Sequence, residues 1–283
     1  MRTWRILLVP AALYLGWRAF RLLPPESKQA ASELVNRVFQ AGERAGLMEP
    51  NPGFRTDYLY SYPELGLLEE NFDTVRRECL GVLDGKARLP DMQALGGDAY
   101  TTGGIHTISW KTFMFKSGEF IDENCALCPE TAALLRRIPG VYTAFFSILD
   151  PHQYVRPHWG YYKGYLRYHL GVVIPNDNED RKCFLRINDS PDDNATQDTS
   201  LIERGAKYYW REGEGVLFDD TFLHDAVNES GEVRVVLWLD VARHMSWPLE
   251  LLNRVSLWVA YHDPSVKAIA RNAVVASGER PSS

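Results

Sequence analysis

The sequence predicts a mainly β protein: a double-stranded β-helix of the jelly-roll or cupin kind, with helices and a hydrophobic anchor before it and a C-terminal helix after it. Two observations predict this. From Val141 onward the apolar residues stop recurring at helical spacing and fall into short β-branched or aromatic runs separated by turn residues. No helical stretch intervenes, which favours an antiparallel sandwich or barrel, and a jelly-roll among these leaves an open interior for a ligand. Size is the second observation: 283 residues with 45% hydrophobic and 12% aromatic content can bury one large core.

The elements follow in chain order. Residues 6–17, "ILLVPAALYLGW", carry no charge and lie between Arg2 and Arg5 on one side and Arg18 and Arg21 on the other. The run is shorter than the roughly 20 residues that span a bilayer, and Leu22 and Leu23 extend it if the two following arginines snorkel to a headgroup layer. Residues 1–24 are therefore expected to be a membrane anchor, single-pass or interfacial. A cleaved signal peptide ranks second, because no small-residue cleavage site follows. Basic residues on both flanks nearly balance in setting the orientation, and Arg18, Arg21 and Lys28 tip the expectation toward the rest of the chain on the cytoplasmic face.

Residues 25–66 read as a stalk helix that ends at Gly46, then a linker rich in Pro, Gly and Tyr. Helices follow at 67–84 and 129–138, the second with Cys128 near its N-cap, Pro129 at its first position, and Pro139 and Gly140 at its close. Strands are expected at 141–149, 165–174, 182–188, 206–210, 215–220 and 233–241, with the acidic insertion 188–205 as a surface loop. One domain is expected over 67–245, with its β core at 141–243. In the last region, 246–283, Leu251, Val255, Trp258 and Val259 share a helical face, and the expectation is that this face packs on the domain. A helix lying along the same membrane as the anchor is the competing reading.

Charge and cysteine content exclude some functions. A net charge of −6 without a basic stripe argues against nucleic acid as a partner. Cys79, Cys125, Cys128 and Cys183 are too few for a disulfide framework, and the single "CALC" pair is read as helix capping rather than redox or zinc chemistry.

Three segments carry candidate chemistry: "RPHWG" with His158, "LRYHLG" with Arg167 and His169, and "LFDDTFLHDAVNESGEVRVVLW" with His224 and Arg234. Two imidazoles at strand ends can bind a divalent metal whose other positions stay open. Arg167 and Arg234 alternate with apolar neighbours, so both are expected to be buried cations, and a buried guanidinium needs an anion. Two such arginines near a two-histidine metal suit a dicarboxylate. His106, His152, His244 and His262 are read as ordinary core or surface residues. Tyr161, Tyr162 and Tyr165 are read as packing aromatics, and Lys163 and Arg156 as exposed charges.

These segments resemble the aspartyl/asparaginyl β-hydroxylase family of Fe(II)- and 2-oxoglutarate-dependent dioxygenases, over residues 141–243 and through "PHWG", "LRYHLGVVIP", "EGE", "FDD", His224 and Arg234 together. The resemblance implies a jelly-roll with Fe(II) bound by His158 and His224. It also implies 2-oxoglutarate held by Arg234 and Arg167, with Ser147 and His169 hydrogen-bonding its carboxylates, and O2 consumed in hydroxylating an unactivated C–H. Gly160 stands where the wider superfamily has the carboxylate of an H-x-D pattern. In the peptidyl hydroxylase branch a glycine there is normal; the related lipid A acyl-chain hydroxylases keep an acid, yet share the hydrophobic N-terminus, "LCP" and a Trp-containing C-terminal helix. The substrate expected first is the β-carbon of Asp or Asn in a protein or peptide. A fatty-acyl chain of a membrane lipid is the alternative, and a non-catalytic membrane-bound jelly-roll that binds a carboxylate or a partner protein is the reading from another class.

Overall fold

Residue 18 and residues 24–50, 53–85, 89–96 and 109–275 are described by a computed structural model of the chain. The uncharged run 6–17, His106 and the tail 276–283 lie outside the described residues, and with them the anchor itself.

A long helix, α1 (Pro25–Arg44), leads through the short strand β1 (Phe54–Arg55) to α2 (Gly66–Glu70), α3 (Phe72–Asp84) and α4 (Met92–Gly96). Next come β2 (Trp110–Ser117), β3 (Glu119–Phe120), α5 (Asp122–Cys125) and α6 (Pro129–Arg137). The remaining strands are β4 (Val141–Leu149), β5 (Gln153–His158), β6 (Tyr165–Val173), β7 (Cys183–Asn188), β8 (Ala206–Tyr209), β9 (Gly215–Phe218), β10 (Leu223–Asn228) and β11 (Arg234–Ala242). The helix α7 (Pro191–Ala195) lies between β7 and β8, and α8 (Leu249–Tyr261) and α9 (Pro264–Asn272) close the described chain.

The strands form two sheets, a seven-stranded one in the order β1-β9-β6-β11-β4-β2-β3 and a four-stranded one in the order β5-β10-β7-β8. Strand neighbours pair antiparallel, as expected. Alternation along the central strands explains the layering. Leu166, Tyr168, Leu170 and Val172 of β6, with Val235, Leu237, Leu239 and Val241 of β11, enter the main core with residues of α3 and α6. The intervening residues of β9 and β11, Val216, Phe218 and Val236, pack instead with Cys183, Leu185 and Ile187 of the smaller sheet. The large sheet is thus buried on both faces, and its inner face carries Arg167 and His169 of β6 and Arg234, Trp238 and Asp240 of β11.

Several expectations change. The large sheet starts before Val141, since β2 pairs along most of β4. The expected helix 67–84 is two helices separated at Asn71. The insertion 188–205 is not a plain loop: it folds into α7 and a 3-10 turn at Thr199–Arg204, because Ser190 caps α7 and Asp198 caps the turn. Lys163 is buried, not exposed, and pairs with Asp219 at 3.0 Å and with Glu43 at 3.2 Å. Arg243 completes this cluster, at 2.9 Å from Asp219 and 2.5 Å from Glu43, so two cations and two carboxylates satisfy one another between α1 and the barrel.

The C-terminal region breaks into α8 and α9 at Asp263, whose carboxylate caps α9 and pairs with Lys28 of α1 at 2.6 Å. The face expected to pack is turned outward. Leu249, Asn253 and Leu257 are the buried side of α8, while Leu251, Val255 and Trp258 are exposed. The reason is local: Asn253 donates to the Gly164 carbonyl at 2.6 Å and accepts from the Tyr162 hydroxyl at 2.8 Å, which orients the helix polar-side-in at that point. Among the described residues no helix is long and apolar enough to cross a membrane.

Candidate active site

The antiparallel register of β5 and β10 sets His158 opposite His224, with ring centroids 4.2 Å apart. Each ring is fixed the same way. His158 Nδ1 bonds the Arg156 carbonyl at 2.7 Å and His224 Nδ1 the Phe222 carbonyl at 2.8 Å, two residues back in each case. A carbonyl can only accept, so both Nδ1 atoms carry the proton and Nε2 of each ring is left as the lone-pair nitrogen. Burial pushes His158 down to about 4 and His224 well below the usual imidazole range, so both stay neutral, the state a metal ligand requires. Among the described residues no group of three or more His, Cys, Asp or Glu converges as a metal site.

Gly160 is where the third donor of an H-x-D pattern would stand. A Cβ built there would overlap the Asp220 carboxylate, and the Gly160 N–H donates to the Asp220 carbonyl at 2.7 Å. Asp220 therefore occupies the room that a side chain at 160 would need. It is buried and held by Arg167 (Nη2 to Oδ2, 2.9 Å), and burial raises it to about 7 against the lowering pull of Arg167. Replacing Gly160 by Ala should displace Asp220 and cost about 1–3 kcal/mol by overpacking, read as a lowered Tm. G160A should cost much less when added to D220G than when added to wild type; an equal loss in both backgrounds would show that the clash is not the cause.

Arg167 is buried as expected, but its charge is already matched within the chain. Its Nε lies 3.0 Å from Asp240, its Nη2 reaches Asp220, and the guanidinium lies 3.8 Å from the centre of the Trp238 ring. The expected need for an external anion at Arg167 does not arise. Sequence reasoning missed Asp240 and Trp238, although the alternation of Arg234, Val236, Trp238 and Asp240 along one strand was available to find them.

Arg234 differs. It is 2% exposed and no carboxylate pairs with it among the described residues. Its Nη1 donates to the Ser147 carbonyl at 3.3 Å, its Nε has no partner, and it lies 4.6 Å from the centre of the Trp210 ring. Burial lowers it to about 10. His169, 3% exposed among Trp210, Phe218 and Trp238, also has no hydrogen bond at either ring nitrogen, and burial holds it well below the usual range. Ser147 accepts from Trp110 Nε1 at 2.9 Å, which leaves its own proton to donate. A buried cation and two unbonded imidazole nitrogens on one sheet face cost several kcal/mol unless an anionic, hydrogen-bonding ligand meets them.

A cavity of about 20 Å³ lies between the two sheets. It is lined by His158 and His224 on one side, Arg167, His169 and Trp238 on the other, and Trp110, Val155, Leu185, Phe218 and Ala226 between them. The insertion contributes Asn194, whose Oδ1 accepts from Trp159 Nε1 and from the Leu223 N–H, both at 2.8 Å. Those donors are the direct chain neighbours of His158 and His224. The sequence held no signal for this role, because it depends on how the insertion folds back.

Of the six residues singled out from the sequence, His158 and His224 of the small sheet and Arg167 and His169 of the large one line this cavity, while Ser147 and Arg234 are buried in the large sheet, joined through the Ser147 carbonyl. The family model described as Aspartyl/Asparaginyl beta-hydroxylase matches residues 69–244. An ornithine lipid ester-linked acyl 2-hydroxylase of Rhizobium tropici is 31% identical over 209 residues, covering 73% of this chain and 67% of its own length. The aspartyl/asparaginyl beta-hydroxylase of Homo sapiens is 29% identical over 185 residues, which is 62% of this chain but 20% of the human protein. Among solved structures, a prolyl hydroxylase in complex with a hypoxia inducible factor peptide fragment from Trichoplax adhaerens aligns over 82% of this chain and 98% of its own at a TM-score of 0.42 and 11% identity, a likeness too distant to carry function. With the family model matched over more than half its length and a relative above 30% identity, the chain belongs to the aspartyl/asparaginyl β-hydroxylase family of hydroxylating dioxygenases.

Proposed function

We propose that the protein is an Fe(II)- and 2-oxoglutarate-dependent hydroxylase whose substrate is an acyl chain of a membrane lipid. The observation that carries the cofactor assignment is the contrast between the two arginines: Arg167 is neutralised by Asp220 and Asp240, whereas Arg234 is buried without a counter-ion. Arg234 is assigned the distal carboxylate of 2-oxoglutarate, which its planar fork can bind bidentately. Ser147 and His169 add hydrogen bonds to the co-substrate, and Arg167 is assigned to hold Asp220 over Gly160. His158 and His224 hold the iron through Nε2, with Asn194 keeping their strands in place. Bound iron supplies the coupling of O2 reduction and co-substrate decarboxylation to hydroxylation of an unactivated C–H. Trp110, Phe218 and Trp238 exclude water from that chemistry.

The lipid assignment rests on the Rhizobium tropici relative, which aligns over more of this chain and more of its own length than the human protein does. A second reading, hydroxylation of the β-carbon of an Asp or Asn side chain, is favoured by Gly160, the residue expected in peptidyl hydroxylases. We place residues 1–24 as the membrane anchor, 25–66 as a helix and linker, 67–245 as the catalytic domain on the cytoplasmic face, and 246–283 as C-terminal helices and tail. Incubating the protein with Fe(II), ascorbate and 2-oxoglutarate, then scanning lipid extracts and peptides by mass spectrometry for one added oxygen, tests the substrate. Hydroxylated lipid with unchanged peptides is the expected result; the reverse would install the peptide reading, and no 2-oxoglutarate turnover at all would leave only a carboxylate-binding jelly-roll.

A further inference from the structure

We infer that the outward faces of α1 and α8 together form a surface that docks on a lipid bilayer and sets the loop entering the active site against it. The inference rests on the lipid reading above.

The helix α8 is apolar on two opposite sides. Leu249, Asn253 and Leu257 are buried at intervals of four residues, Leu251, Val255 and Trp258 lie about half a turn around the axis from them, and Trp247 is exposed just before the helix. Trp247, Leu251, Val255 and Trp258 are 76%, 52%, 36% and 45% exposed, although the last three belong to the face that sequence patterning assigns to packing. The helix α1 continues the surface. Its buried Phe39 packs with Met48 and Leu249, its Val35 adjoins that cluster, and its Gly42 is in contact range of Leu249. Leu34 and Val38 come next around its circumference, on the outer side of that contact edge, and are 63% and 40% exposed. Large apolar side chains from two touching helices thus form one exposed patch, a feature that marks an interaction surface.

The chain itself indicates the occupant. The uncharged run 6–17 is joined to α1 by residues 18–24 alone. The start of α1 is tied to the α8–α9 corner through Lys28 and Asp263, at the margin of the patch. Attraction to anionic headgroups is not the driving force: the protein carries −6, and Arg254, beside Val255, is paired with Glu250 at 2.6 Å. Burial of the apolar stripe in the interface is, and Trp247 suits the headgroup boundary.

Docking there has a consequence for the site. Residues 159–164 connect iron-side His158 to Arg167, and both helices grip them. Asn36 of α1 donates to the Tyr161 carbonyl and accepts from the Lys163 N–H, each at 2.8 Å, while Asn253 of α8 holds Gly164 and Tyr162. The surface that meets the bilayer is thereby fixed to the segment leading into the cavity.

The test uses the full chain with vesicles of zwitterionic phospholipid. An environment-sensitive fluorophore on Leu251→Cys should shift to the blue and be quenched by lipids brominated in the acyl chain, at low and high salt alike. The same label on Ser200→Cys, on the exposed turn after α7, should not respond. The double variant L251E/V255E should lose at least tenfold in hydroxylation of lipid presented in vesicles, with 2-oxoglutarate affinity and Tm unchanged. An unresponsive label at position 251, with wild-type lipid turnover by the double variant, would overturn the inference while leaving the lipid substrate intact. Quenching at 251 in a protein that hydroxylates no lipid would keep the docking surface and remove the substrate reading. A vesicle-free mass of two chains that L251E/V255E reduces to one would give the surface to a second copy instead.

Discussion

Replacing Arg234 by Met is expected to raise the 2-oxoglutarate requirement by about 30-fold or more and, in the absence of ligand, to make the protein more resistant to heat. Both effects follow from one fact, that Arg234 is buried with no carboxylate paired to it among the described residues. Truncating one member of a buried, hydrogen-bonded charge pair costs about 2–5 kcal/mol of binding, and every 1.4 kcal/mol or so is tenfold in affinity. Without the co-substrate, the same guanidinium has been removed from water for little return. Replacing buried charge by apolar side chains of similar volume is often neutral or stabilising by about 1–4 kcal/mol, which in a domain of this size corresponds to roughly 2–4 °C in Tm per kcal/mol. Titrating 2-oxoglutarate in a turnover assay and melting the ligand-free protein measures both. A variant with unchanged co-substrate requirement would remove Arg234 from its assigned role. A variant that melts well below wild type would show that Arg234 acts in the scaffold. Arg167→Met should behave oppositely, because it strands Asp220 and Asp240 and so destabilises the fold by about 3–5 kcal/mol.

His224→Ala is expected to abolish iron retention and turnover together while leaving the sheets intact. Loss of a partner outside the ligand sphere typically costs 10–100-fold in metal affinity or activity, and loss of one of only two protein donors should exceed that. Iron content after loading and dialysis, alongside 2-oxoglutarate consumption, reads the outcome, and His158→Ala should match it. The control is His244→Ala: that ring is exposed and stacked on Tyr62, so iron content and turnover should not change. Iron retained at wild-type levels by H224A would mean that the metal, if any, is held elsewhere.

Much of the site was legible because its chemistry is written in short, local patterns. A histidine preceded by proline and followed two residues later by glycine, and arginines alternating with Leu and Val, are visible without a fold. Their partners were not. Asp240 forms its pair with Arg167 only because β11 and β6 are neighbours in register, and they lie 73 residues apart in the chain. Lys163 looked like a surface charge because the carboxylates that bury it, Glu43 and Asp219, come from α1 and from the end of β9. The strand β2 escaped notice because period alone does not say which runs a sheet will recruit as its outer members.

The sequence by itself determined the mainly β core, its antiparallel character, the two histidines and the arginines, since alternation and residue type are local properties. Only the tertiary structure decided which arginine is left without a counter-ion, because neutralisation depends on carboxylates brought in by strand pairing. It also decided that Asp220 takes the space above Gly160, and that the apolar stripe of α8 faces outward. A hydrophobic period says that a helix has an apolar side; which side finds a neighbour is settled by the neighbours, here by the polar grip of Asn253 on the loop beneath it.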